Sequence, residues 1–256
     1  MTSNGPRDCC YQGVRHEGTA TGRIETIDDF EIYISEPADA SNKFGILFLS
    51  DIIGHKFNNA QLIADQFAKN GYFVLMPDLF YGDAVPFNKV GELDIPKWLQ
   101  GEYSASKVPH TPSSVDPIVE KCLSTMRGKY GCHRIGAVGY CFGAKYVVRY
   151  LSQNSGKIDV GYVAHPSFVQ KEELEVIQGP LAIAAAETDE IFPEEKRHES
   201  EEILAKLNFP YQLNLYSGVT HGFAVRCDLG VKQQRYAKES AFLQALEWFQ
   251  EYLKTE

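Results

Sequence analysis

The sequence predicts a single-domain α/β fold, a mostly parallel central sheet with helices on both faces, and three observations carry that expectation. Short, almost continuous apolar runs recur at Gly45–Leu49, Tyr72–Met76, Arg134–Val138, Val160–Ala164, Leu181–Ala185 and Tyr211–Tyr216, the pattern of strands covered on both faces. Helical stretches fall between most of them, and this alternation favours parallel strands whose carboxyl ends gather the ligands. The chain of 256 residues, 44% hydrophobic and 23% charged, suffices for one large core, and no repeat, low-complexity tract or Pro/Ser linker divides it.

In chain order, residues 1–22 read as a glycine-containing N-terminal arm. Arg23–Ile27 and Phe30–Ile34 alternate in character around Asp28-Asp29, as two short edge strands joined by a turn do. Ala60–Lys69 sets Ala60, Ile63, Ala64 and Phe67 on one stripe and stops at Asn70-Gly71, a helix C-terminal signal. Val115–Arg127, Ala144–Leu151, Glu194–Leu207 and Lys232–Leu253 are the other helices; the last carries Phe242, Leu243, Leu246, Trp248 and Phe249 and is expected to dock on the sheet. Residues 78–114 lack periodic pattern and hold four prolines. That stretch, with Phe80, Tyr81, Phe87, Trp98, Leu99 and Tyr103, is either a lid over a pocket or an irregular excursion packed on the core.

Charge and cysteine usage narrow the function classes. A net charge of −9, from 34 acidic and 25 basic residues, argues against nucleic acid or an anionic membrane surface as the main partner. No apolar run approaches the roughly 18 residues of a membrane span, and Met1–Asp8 lacks the basic-then-apolar layout of a secretory signal, so a cytoplasmic protein is expected. Six cysteines without CxxC spacing read as reduced thiols. Cys9, Cys10 and His16 lack a fourth ligand at structural-zinc spacing; an arm packed on the domain is expected there, and no metal.

The sharpest motif is Gly139-Tyr140-Cys141-Phe142-Gly143, directly after one strand run and directly before a helix. In a strand-to-helix elbow the central residue takes a strained conformation that lifts its side chain above the sheet, and flanking glycines are needed because side chains there would strike backbone. A thiol nucleophile follows, with the Phe142 N–H at the helix N-terminus able to stabilise a thiolate or an oxyanion. A dinucleotide loop is the rival, but Gly136, Gly139 and Gly143 do not form G-x-G-x-x-G and bulky Tyr140 and Phe142 fill the turn. An elbow of this kind calls for an acid and then a histidine after later strands, and Asp189 and His221 occur in that order, with Glu187 as a competing acid.

Together with Leu49-Ser50-Asp51-Ile52-Ile53-Gly54, Met76-Pro77-Asp78-Leu79-Phe80, Asp189-Glu190-Ile191-Phe192-Pro193 and Ser217-Gly218-Val219-Thr220-His221-Gly222-Phe223-Ala224, the elbow resembles the dienelactone hydrolase family of α/β-hydrolases, especially its fungal cytosolic members, over nearly the whole chain. The resemblance implies a triad of Cys141, His221 and Asp189 that opens a lactone or cleaves a small ester through an acyl-thioester, Ile52 and Phe142 amides as oxyanion donors, no metal or organic cofactor, and a monomer or homodimer. It also marks departures. Asp51 stands where founding bacterial members carry a thiol-gating Glu, Gly82 replaces one substrate-binding arginine, and the other falls on Val225 with Arg226 adjacent, which shifts the expected substrate away from dienelactone itself. Tyr140 and His165, at the active edge, are further substrate-contact candidates. His55 and Lys56 lie near the oxyanion loop, and His16, His110, His133 and His198 read as structural or solvent residues. Two rival readings stay open: a non-catalytic small-molecule binding or sensing protein, and a redox-responsive thiol protein.

Overall fold

The computed structural model describes residues 1–89, 91–104, 106–152 and 158–254. The alternating N-terminal pattern folds as a hairpin of β1 (Arg23–Ile27) and β2 (Phe30–Ser35), turned at Asp28 with φ at 52°. The apolar runs become β3 (Phe44–Leu49), β4 (Phe73–Pro77), β5 (Arg134–Tyr140), β6 (Val160–Ala164), β7 (Leu181–Thr188) and β8 (Tyr211–Thr220). One eight-stranded sheet results, in the order β1-β2-β4-β3-β5-β6-β7-β8. The β1–β2 and β2–β4 pairings are antiparallel and the rest parallel. Only β1 of the hairpin is an edge strand; β2 pairs on both sides and is largely buried, so its apolar residues pack on two faces.

The helices are α1 (Asn58–Lys69), α2 (Ile95–Leu99), α3 (Pro112–Gly128), α4 (Gly143–Tyr150), α5 (Lys171–Leu174), α6 (Glu194–Leu204), α7 (Phe223–Arg226) and α8 (Lys232–Tyr252). Three of these, α2, α5 and α7, are single turns with too few residues to show a period in sequence. No described helix is long and apolar enough to cross a membrane.

Strand order reverses beside β3, since β4 lies on one side of it and β5 on the other. The loops leaving β3 and β5 therefore part at the carboxyl edge of the sheet, the place where open α/β sheets gather their ligands. Asp51 and Ile52 leave β3 at this point, and Cys141 leaves β5. The excursion at 78–114, of which residues 90 and 105 lie outside the described set, packs its aromatics behind the elbow: Phe80 lies 5.1 Å from Phe142 and 5.2 Å from Trp98 between ring centroids. The Trp98 indole donates to Asp83 O at 2.6 Å, and the His110 ring pairs with the Asp83 carboxylate at 2.9 Å.

Helix α8 docks through Phe249, which sits directly over Gly136 of β5, where an added Cβ would lie 2.6 Å from the ring. Its ring also meets Phe67 and Tyr72, each at 6.1 Å. Leu243, read from sequence as part of the same docked stripe, is instead 54% exposed. Phe249→Ala is accordingly expected to lower unfolding free energy by about 3–5 kcal/mol, and Leu243→Ala by under about 0.5 kcal/mol, in urea titrations. Equal losses would contradict this packing.

Candidate active site

Cys141 has φ at 50°, the left-handed conformation an elbow requires of its central residue. The flanking glycines explain why it is tolerated. A Cβ at Gly139 would lie 2.6 Å from Ala144 Cα, and one at Gly143 would collide with the Leu49 carbonyl oxygen. Backbone bonds hold the turn: Cys141 N–H donates to Ala164 O at 3.2 Å, Gly143 N–H to Ser50 O at 3.1 Å, and Cys141 O accepts from Ser167 N–H at 3.0 Å. Among the described residues, the Ile52 and Phe142 amides donate to no backbone carbonyl.

The acid and the histidine arrive from the next two strand ends. Asp189 follows β7 directly, its Oδ1 accepting the amides of Ile191 at 2.8 Å and Phe192 at 3.0 Å. Those bonds aim the carboxylate at His221, the residue after β8, whose Nδ1 lies 3.0 and 2.9 Å from the two oxygens. The carboxylate partner assigns the proton to Nδ1 and leaves Nε2 facing away from Asp189. Nε2 is buried and has no hydrogen-bond partner among the described residues. Glu187, the competing acid, instead accepts Gly218 N–H at 2.7 Å.

Three reactive atoms meet here, one of them from a segment that sequence patterns did not point to. Cys141 Sγ, a His221 ring nitrogen and Cys10 Sγ all lie within 4.8 Å of one another. Cys10 is carried by a single 3-10 turn, Asp8–Tyr11, and both it and Cys141 are 0% exposed. Burial pulls the His221 pKa down, but the charges of Cys10 and Asp189 and the hydrogen bond to Asp189 outweigh it and raise it to about 10. Burial pushes the Cys10 thiol up, reinforced by its contact with Cys141. His165 packs edge-on against His221, ring centroids 4.9 Å apart, with both its nitrogens lacking partners among the described residues. Burial, and then the neighbouring charges of His221 and Arg226, hold its pKa well below the ordinary value, so it is a neutral ring. The Tyr140 ring lies 6.0 Å from it.

Asp51 and Arg226 are tied to each other. Arg226 Nη1 donates to Asp51 Oδ2 at 2.6 Å, and Ile53 N–H donates to Oδ1 at 3.1 Å, in a region where both side chains are buried. The same guanidinium donates to Gln12 O at 2.9 Å and to Cys9 O at 3.1 Å, gripping the arm on either side of Cys10. Burial raises the Asp51 pKa from its ordinary value while Arg226, the Ile53 amide and His221 pull it back. Further along, Thr2 N–H donates to Val169 O at 2.9 Å, Asn4 N–H to Ile191 O at 2.7 Å, and the Asn59 side chain binds the backbone of Val14 and His16. His16 itself faces Cys227 O at 2.8 Å rather than Cys10. His55, which is buried, pairs with Glu31 at 3.2 Å, and the exposed Lys56 pairs with the same carboxylate at 2.5 Å.

Two outcomes follow from this geometry. Arg226→Met leaves Asp51 buried without its cation and is expected to destabilise by about 3–5 kcal/mol in urea titrations, with Asp51→Asn/Arg226→Met recovering part of it. Folding raises the His221 pKa above its unfolded value near 6.5, so the folded state holds that proton more tightly; the stabilisation is complete below about pH 6.5 and fades as pH climbs through about 10. Urea midpoints should therefore fall more steeply over that window for the wild type than for His221→Gln, and parallel curves would contradict the assignment.

Comparison with known proteins agrees with this architecture. The model of the dienelactone hydrolase family matches residues 30–253. The hydrolase tropI of Talaromyces stipitatus is 61% identical over 254 residues, covering 99% of each chain. The hydrolase pyvD of Aspergillus violaceofuscus is 52% identical over 99% of this chain and 100% of its own. Dienlactone hydrolase 1 of Gibberella moniliformis is 32% identical over 97% of this chain and 94% of its own. Among solved structures, a dienelactone hydrolase-like promiscuous phosphotriesterase from metagenomic libraries superposes with a TM-score of 0.70 at 16% identity, covering 91% of this chain and 98% of that one. The dienelactone hydrolase of Anabaena variabilis gives 0.63 at 12% identity over 90% of this chain and 98% of that one. With its sheet order, its elbow and these matches spanning nearly its full length, the chain belongs to the dienelactone hydrolase family.

Proposed function

We propose that this hydrolase opens a lactone or cleaves a small carboxylic ester with Cys141 as nucleophile, His221 as general base and acid, and Asp189 as the group that orients the imidazole. The observation that carries the reading is the Asp189 carboxylate held against His221 Nδ1 while Nε2 turns, unpartnered, into the cluster that contains the Cys141 thiol. In this scheme Nε2 takes the thiol proton, the sulfur attacks the acyl carbon, and the tetrahedral oxyanion is met by the Ile52 and Phe142 amides. The C–O bond then breaks, the leaving oxygen takes the proton from the imidazolium, and a thioester remains; for a lactone the new hydroxyl stays tethered to the acyl group. Water, deprotonated by His221, attacks the thioester, releases the carboxylic acid and restores the thiol.

Asp51 enters this scheme as a positioning residue. Its carboxylate is engaged by Arg226 and the Ile53 amide, so its influence on the thiol passes through the arm that Arg226 holds. Arg226, with three bonds to the protein, supports the arm rather than an incoming anion. Cys141 is fully buried, so in this scheme substrate reaches the thiol only after a local rearrangement of the residues that cover it. A cytoplasmic setting, where thiols stay reduced, suits the six free cysteines.

Assayed on a panel of activated esters and lactones, Cys141→Ala and Asp189→Asn should each lower kcat/KM by about 10⁴-fold relative to wild type, with folding checked by circular dichroism. Undiminished turnover in Cys141→Ala would reject the nucleophile. Binding without turnover in the wild type would instead favour a sensing role.

A further inference from the structure

We propose that Cys10, Cys141 and His221 form a binding site for a thiophilic divalent cation, zinc above all, which closes the active site in an inhibited state. The three donor atoms lie within 4.8 Å of one another. Thiolates around a zinc ion bond at about 2.3 Å and imidazole nitrogen at about 2.0 Å, which sets the donors about 3.5–3.8 Å apart, so the cluster needs to contract by no more than about 1.3 Å. Side-chain rotation of two cysteines covers that distance. Two sulfurs and one imidazole are a soft donor set, suited to zinc and unsuited to magnesium or calcium.

The second, independent observation is the histidine. His221 is 6% exposed, its Nε2 is buried and lacks a partner among the described residues, and its Nδ1 is bound by Asp189. A carboxylate behind an imidazole whose other nitrogen faces two thiols is the arrangement that orients histidine ligands and raises their basicity. The N-terminal arm supplies the remaining donor because Arg226 holds the carbonyls of Cys9 and Gln12 on either side of it. Metal binding itself does not depend on the proposed hydrolysis, with which the site shares two residues, whereas the inhibition rests on that reading.

Binding balances simply. The S–H bonds of Cys10 and Cys141 break, each electron pair stays on sulfur to form a metal–sulfur bond, the His221 imidazolium gives up its Nε2 proton so that the nitrogen lone pair can bind, and all three protons leave to solvent. The two thiolates cancel the dipositive charge, so the loaded cluster of metal, two sulfurs and neutral imidazole carries no net charge. With nucleophile and base both coordinated, acyl transfer stops until a chelator removes the metal.

The test uses the full-length, reduced, chelator-treated chain titrated with cobalt(II). One equivalent should produce a thiolate-to-cobalt charge-transfer band and tetrahedral d–d absorption, both erased by zinc. The bands should vanish in Cys10→Ser and in Cys141→Ser and persist in Cys132→Ser, whose thiol lies beyond the opposite, amino end of β5. Absence of the charge-transfer band in wild type, or its survival in Cys10→Ser, would overturn the proposal. Should Cys10→Ser fail to fold, zinc-edge X-ray absorption of the wild type decides: a shell of two sulfurs and one imidazole supports the site, an oxygen-only shell overturns it. A chain that shows the bands yet hydrolyses nothing keeps this site and refutes the proposed catalysis, so the two fail separately.

Discussion

Everything in the site is referred to one strained position, the left-handed backbone at Cys141. A β-to-α transition this tight is sterically closed to most residues, and it stays closed unless glycine stands on both sides, where Ala144 and Leu49 leave no space for a Cβ. The strain, of the order of 1–3 kcal/mol, is offset by the backbone bonds to Ala164, Ser50 and Ser167 and by the aromatic packing of Phe142 on Phe80. It lifts the sulfur above the sheet edge, at the place where strand order reverses and two loops part. Asp189 and His221 then need only follow their own strands to reach the same edge, which is why residues so far apart in sequence meet without any long loop.

A second constraint, the buried pair of Asp51 and Arg226, couples that edge to the arm. An isolated buried ion pair adds little stability, and its value lies in specifying one arrangement. Here the guanidinium spans the loop after β3 and the carbonyls on both sides of Cys10, so the position of the arm and the electrostatics of the site are set by the same group. The relation between arm and thiol is thus built from a few polar bonds on either side of a single turn whose Cys10 and Tyr11 are buried in the core.

Much of this was legible in the sequence. Fully covered strands give continuous apolar runs, and β5, β6 and β7 were visible for that reason, while the elbow, acid and histidine each stood at a strand end, where local pattern is strongest. The exceptions have physical causes. β8 runs on to Thr220 as a partly exposed strand, so its last residues carry no apolar signal. Leu243 lies six residues before Phe249, about 120° round the helix, off the stripe of Ala237, Ala241, Gln244, Ala245, Trp248 and Phe249 that is buried, so its apolar character misled where its spacing did not. The insertion of Cys10 is a tertiary event: Cys9-Cys10 has no spacing that speaks of Cys141, and Arg226, a residue away from the position where the resemblance places a substrate contact, turns inward to Asp51 because a buried carboxylate there needs a cation.

The central claim is that sulfur at position 141 carries the acyl group. Intact-protein mass spectrometry of wild type quenched in acid during turnover of an ester or lactone substrate, followed by peptide mapping, tests it most directly. The account predicts one acyl group per chain, labile to hydroxylamine, on the peptide containing Cys141, and absent when His221 is replaced. An acyl group on any other residue, Cys10 included, or steady turnover with no adduct at Cys141 under conditions that trap thioesters, would contradict it.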